Sequence, residues 1–154
     1  MSTCGLVQKG GALDNGTQPW AVDCRVSLGN PMQLEEALVR HPRLRIWIMH
    51  AGFPYLEDTI AILSTYPHVY ADLSALNWLW PSADFHGYVK ALVDAGLGKR
   101  LMFASDQSVW PRVAIPRAIE FLDSATYLTH EQKRDIFCLN AARFLRVEKQ
   151  LCDG

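Results

Sequence analysis

Three short apolar runs, Leu44 to Met49 (LRIWIM), Val69 to Ala75 (VYADLSA) and Leu101 to Ala104 (LMFA), constrain this chain more than any other feature. Each is mostly apolar and too short for a buried helix, so each reads as a strand inside a sheet. Between them the apolar residues take helical spacing. Leu56, Ile60 and Leu63 share one face of a segment running to Tyr66 and closed by Pro67. Residues 84 to 95 carry Phe85, Tyr88, Val89, Leu92 and Val93, with Gly96 just past the end, the usual C′ position. Ahead of the first run, Asn30 and Pro31 open a helix as N-cap and first helical residue. Glu35 and Glu36 lie near its first turn, Leu34, Ala37, Leu38 and His41 share a face, and Pro42 stops it. Behind the third run, Ile115 to Ser124 reads as a helix following the Trp110-Pro111 loop. A last helix opens on the capping box Thr129 to Gln132 and continues through Ile136, Asn140 and Phe144 to about Arg146. The connections are too long for hairpins, so the pattern predicts an α/β fold of parallel strands joined by right-handed crossovers.

The 154 residues fit one domain and leave no room for two of full size. Apolar residues make up 49% of the chain, with five Trp, which implies a packed core rather than disorder. Fifteen basic against 16 acidic residues give no excess to neutralise phosphates, which argues against nucleic-acid or anionic-membrane partners. No apolar run approaches the roughly 18 residues of a membrane helix, and Met1 to Gly11 has no signal-peptide core. A cytoplasmic protein is the expectation. Cys4, Cys24, Cys138 and Cys152 form no C-x-x-C pair and read as free or buried thiols. Residues 1 to 30, glycine-rich and without an apolar period, read as a long loop; 147 to 154 read as a tail.

In parallel α/β sheets, ligands and catalytic groups collect at the carboxyl ends of the strands, where the loops converge. His50 follows LRIWIM, and Asp106 follows LMFA within a Ser-Asp-Gln triplet. An imidazole at a strand tip can ligate a metal, polarise water or shuttle a proton; the alternative is a core histidine satisfied by backbone groups. A carboxylate directly after an apolar strand must be paired, hydrogen-bonded or metal-bound, and the alternative is a loop carboxylate capping the turn before Val109. Asp72, beside Leu73 and Ser74, fits a structural hydrogen-bond acceptor better than a catalytic group. His41, His68, His86 and His130 fall on helices or before strands and read as surface or satisfied histidines. Phe53 and Trp110 sit in loops after strands and are candidates for a substrate pocket. Trp78, Trp80 and Phe85 join Trp110 in an aromatic group whose commoner use is packing.

The segments RHPRLRIWIMHAGFP (Arg40 to Pro54), HVYADLSA (His68 to Ala75), AGLGKRLMFASDQSVWP (Ala95 to Pro111) and LTHEQKRDIFCLNAARFLR (Leu128 to Arg146) together resemble the amidohydrolase superfamily. The branch is the amidohydrolase-related one, which includes metal-dependent hydrolases and aminocarboxymuconate-semialdehyde-type decarboxylases. The resemblance implies the C-terminal part of a (β/α)₈ TIM barrel, with the three runs as its sixth, seventh and eighth strands. It also implies that His50 and Asp106 are catalytic residues and ligands of a divalent metal, zinc or manganese, acting on a small-molecule substrate through activated water.

The departures are specific. No two histidines lie two residues apart, so the family's first-strand H-x-H pair is absent, and Thr3 stands where a fifth-strand histidine belongs. A typical eight-stranded barrel needs roughly 250 residues. The expectation is therefore a single partial-barrel domain over 1–154, with a helix and three βα units in 31–146. As a metal-dependent hydrolase or decarboxylase it is incomplete as a lone chain and needs a homo-oligomer or a complementing chain. The alternative is a non-catalytic remnant acting as an interaction or structural module.

Overall fold

The computed structural model describes residues 7–8, 12–13, 26–79, 82–106 and 111–148. They fall in two compact units, Met1–Ala71 and Asp72–Gly154.

The first unit is built on strands β1 (Val7–Gln8), β2 (Ala12–Leu13), β3 (Ile46–Ile48) and β4 (Val69–Asp72). β1 runs antiparallel to β2, whereas β2 and β4 flank β3 in parallel, with Leu13 opposite Ile48 and Ile48 opposite Ala71. The stretch 1–30, expected as loop, thus contributes two short strands. A two-residue strand shows no alternation of its own, and its backbone becomes a strand only through the ladder it joins.

Asn30 caps as expected: its Oδ1 accepts from the Met32 N–H at 2.8 Å, and its Nδ2 donates to Asp58 Oδ2 at 2.6 Å. The first turn behind it, Pro31–Leu34, is 3-10, and the α-helix proper is α1 (Glu35–Arg40). Helix α2 spans Leu56–Thr65, but its buried stripe is Thr59, Ile62 and Leu63 rather than the one through Leu56 and Ile60. Thr59 can lie in the core because its hydroxyl donates to the Tyr55 carbonyl at 2.7 Å.

In the second unit, α3 (Leu76–Leu79), absent from the sequence reading, packs against α4 (Ser82–Asp94) and α5 (Pro111–Ser124). Gly96 takes φ +80° just past α4, and Gly96 and Leu97 donate to Val93 and Leu92, a complete Schellman end. Strand β5 (Leu101–Met102) is shorter than expected because the Phe103 N–H leaves the sheet to donate to the Ile136 carbonyl at 2.8 Å. The last helix opens with both bonds of the Thr129–Gln132 capping box. It then consists of α6 (His130–Arg134), a π segment over Asp135–Leu139, and α7 (Asn140–Leu145). Phe85 is fully buried and packs on Tyr88 and Phe121, so it serves the core.

Candidate functional site at the strand tips

His50 belongs to the first unit and is fully buried at the carboxyl end of β3. It opens a turn in which three consecutive residues adopt left-handed backbone: His50 at φ +56°, Ala51 at +50° and Gly52 at +72°. Such a run costs about 1–2 kcal/mol per non-glycine residue and persists only where the surroundings over-determine it. Here they do. Ala51 is fully buried, and a Cβ on Gly52 would fall 2.1 Å from Thr59 Oγ1 and 3.1 Å from Pro31 Cγ, so only glycine fits between α2 and the 3-10 turn. The Phe53 N–H donates to the His50 carbonyl at 2.9 Å and Tyr55 to Gly52 at 3.0 Å, which closes the turn ahead of the cis Phe53–Pro54 bond. Phe53, half-buried, therefore shares one turn with His50.

Asp106 belongs to the second unit, partly exposed, and also has a left-handed backbone, φ +49°. The strand it follows is held from outside. Asn140 Nδ2 donates to the Leu101 and Gly98 carbonyls at 2.6 and 2.9 Å, and the Leu73 N–H donates to the Met102 carbonyl at 3.0 Å. Asn77 Nδ2 donates to the Ala104 carbonyl at 2.9 Å. The π segment supplies the remaining hold: widening the helix to an i→i−5 bond, Asn140 N–H to Asp135 carbonyl, leaves Ile136 to accept from Phe103. Asn77 and Asn140 are site-supporting residues that sequence reasoning did not single out. The signal was an amide on an otherwise apolar helical face, as with Asn140 between Ile136 and Phe144.

Asp72 Oδ1 accepts from the Ser74 N–H at 2.9 Å and from the Ser74 hydroxyl. That Asx turn is the structural role expected of it, and it ends β4 at Asp72 instead of Ala75. Ala75 then takes φ +59°. His41, His68 and His130 are exposed. His86 stacks on Phe121, with ring centroids 4.0 Å apart, and burial pushes its pKa below the ordinary histidine value. Its Nδ1 lies 3.1 Å from the Tyr127 hydroxyl, whose pKa burial raises. Trp80, Trp110, Val109 and Thr3 lie outside the described residues. Among the described residues, no three His, Cys, Asp or Glu side chains gather as a metal site, Cys138 is an exposed free thiol, and no helix is long and apolar enough to cross a membrane.

An amidohydrolase family model matches residues 4–147. Among solved structures, an uncharacterised TIM-barrel protein of Bordetella bronchiseptica superposes with a TM-score of 0.61 at 20% identity, over 80% of this chain and 41% of its own. An amidohydrolase of Burkholderia multivorans with bound zinc gives 0.58 at 22%, over 75% and 48%. The 5-carboxyvanillate decarboxylase of Sphingomonas paucimobilis gives 0.53 at 20%, over 75% and 37%. No curated protein matches the chain significantly. The fold is thus α/β, part of a TIM barrel, and the chain spans less than half the length of these structures.

Proposed function

The chain belongs to the amidohydrolase family, and on that premise we propose that it forms part of a metal-dependent hydrolase or decarboxylase acting on a small-molecule substrate. The observation that carries this reading is that β3 and β5 both end on a ligand-type side chain in a left-handed turn, His50 and Asp106. Strand-tip placement is where barrel enzymes keep their catalytic groups, and strained backbone concentrates at such sites. Zinc in the Burkholderia multivorans relative and decarboxylation in the Sphingomonas paucimobilis relative supply the two candidate chemistries.

A divalent metal does not fit the described residues by themselves. Catalytic zinc takes three protein ligands, and no such trio is present among them. No reaction step is drawn through a metal on this chain alone. His50 and Asp106 are donors to a zinc or manganese centre that other strands complete, from a second copy of this chain or a complementing chain in the cytoplasm. The partial-barrel reading of 1–154 points the same way, since a sheet that does not close leaves edges to pair.

Size-exclusion chromatography with light scattering and metal analysis of each peak tests this reading. Zinc or manganese is expected to co-elute with a dimer or larger assembly, and His50→Ala and Asp106→Asn should each lower its content. A monomer that stays metal-free after added zinc and manganese overturns the reading in favour of a non-catalytic interaction module.

A further inference from the structure

Gly98 and Lys99 lead into β5, whereas Asp106 follows it, so the face beside them lies at the other end of this strand from the proposed catalytic carboxylate. A cavity of about 400 Å³ opens there, within the second unit. Val93, Gly96 and Gly98 form its apolar and backbone wall, and Lys99, Glu131 and Asp135 its charged one. Asp135 is unusual among these. It is 4% exposed, and its Oδ1 is buried with no hydrogen-bond partner. Its Oδ2 lies 3.6 Å from Arg143 Nη1, but that guanidinium is shared with Asn140 Oδ1 at 2.9 Å and Glu148 at 3.3 Å. A buried carboxylate oxygen without a donor is costly, which makes it a demand for one.

We propose that this cavity is a binding site for a small organic cation bearing a primary ammonium group, which donates to Asp135 Oδ1. Charge decides the sign of the ligand. Two carboxylates face one ammonium among the lining residues, so the cavity is net negative. The adjoining helix start does not reverse this preference, because the Thr129 and Gln132 N–H groups are already taken by the capping box at 2.8 and 3.1 Å. An ammonium brings three donors on a compact head, enough for Asp135 with donors left for Glu131. The proposal is independent of the metal-centre reading.

Amide NMR titration of the full chain with 1,4-diaminobutane, at fixed ionic strength, tests it, with sodium butyrate as the anionic control. Saturating shifts are expected at Gly96 to Lys99 and Thr129 to Asp135 by about 10 mM diamine, and none with butyrate. Asp135→Asn should weaken binding about tenfold, as expected when a hydrogen bond to a charged group is lost. Glu131→Gln should weaken it, and Lys99→Ala strengthen it, by about threefold each. The absence of saturating shifts, equal shifts with butyrate, or unchanged affinity in Asp135→Asn overturns the proposal. Should Asp135→Asn fail to fold, Glu131→Gln and Lys99→Ala decide by the same criterion: binding unchanged in both overturns it.

Discussion

The tips of β3 and β5 both end on left-handed backbone, yet they are held in opposite ways. At β3 the support is compact: the turn closes on itself through Phe53 and Tyr55, and Gly52 seats against Thr59 only seven positions on. At β5 the support is remote, with Asn77 reaching Ala104, Asn140 reaching Gly98 and Leu101 across about forty residues, and a π segment offering Ile136 to Phe103. The first tip depends on steric fit, the second on polar satisfaction. Steric faults are met at once by a packed core, whereas a lost amide can be answered in part by water.

This contrast sets the order of expected effects. Gly52→Ala puts a Cβ inside the contact distance of Thr59 at a positive φ, and should cost about 3 kcal/mol in denaturant unfolding. A loss below about 1 kcal/mol would break the claim that β3 is held by fit. Asn140→Ala leaves two carbonyls unpaired, the one on Leu101 in a fully buried residue, and should cost about 2 kcal/mol. Asn77→Ala removes one bond but also removes the buried, unpartnered Oδ1 of Asn77, so about 0.5 kcal/mol or less is expected. Its mark should be local: faster hydrogen exchange at Ser105 and Asp106 with little change in the melting temperature.

The smallest effect is a pH dependence confined to the second unit. His86 is pushed below its ordinary value, so the folded state disfavours its proton while the unfolded chain binds it near pH 6.5. Its contribution to stability is therefore complete above that pH and is lost as pH falls toward the lowered folded value. Thermal melts between pH 7.5 and 5.5, bracketing that value, should show this acid loss, with a shallower slope in His86→Gln. An unchanged slope would remove His86 from the account.

Local signals were legible because they are settled within one or two turns. The Asn30 cap, the Gly96 Schellman end and the Thr129–Gln132 box stand where the residues put them, since each closes backbone bonds with neighbours at most five positions away. The alternation of short apolar runs with helical spacing, and with it the α/β class and the placement of His50 and Asp106 after strands, came from the sequence in the same manner. What the residues did not disclose was non-local. The strands within 1–30 exist through pairing with β3, and β5 stops at Met102 because Phe103 finds Ile136. The amides of Asn77 and Asn140 could be assigned only once the chain had brought them to carbonyls 27 to 42 residues away. Sequence alone thus determined which backbone groups are satisfied nearby, and tertiary structure decided where the remaining ones find partners, because a buried polar group must be paired wherever the fold provides.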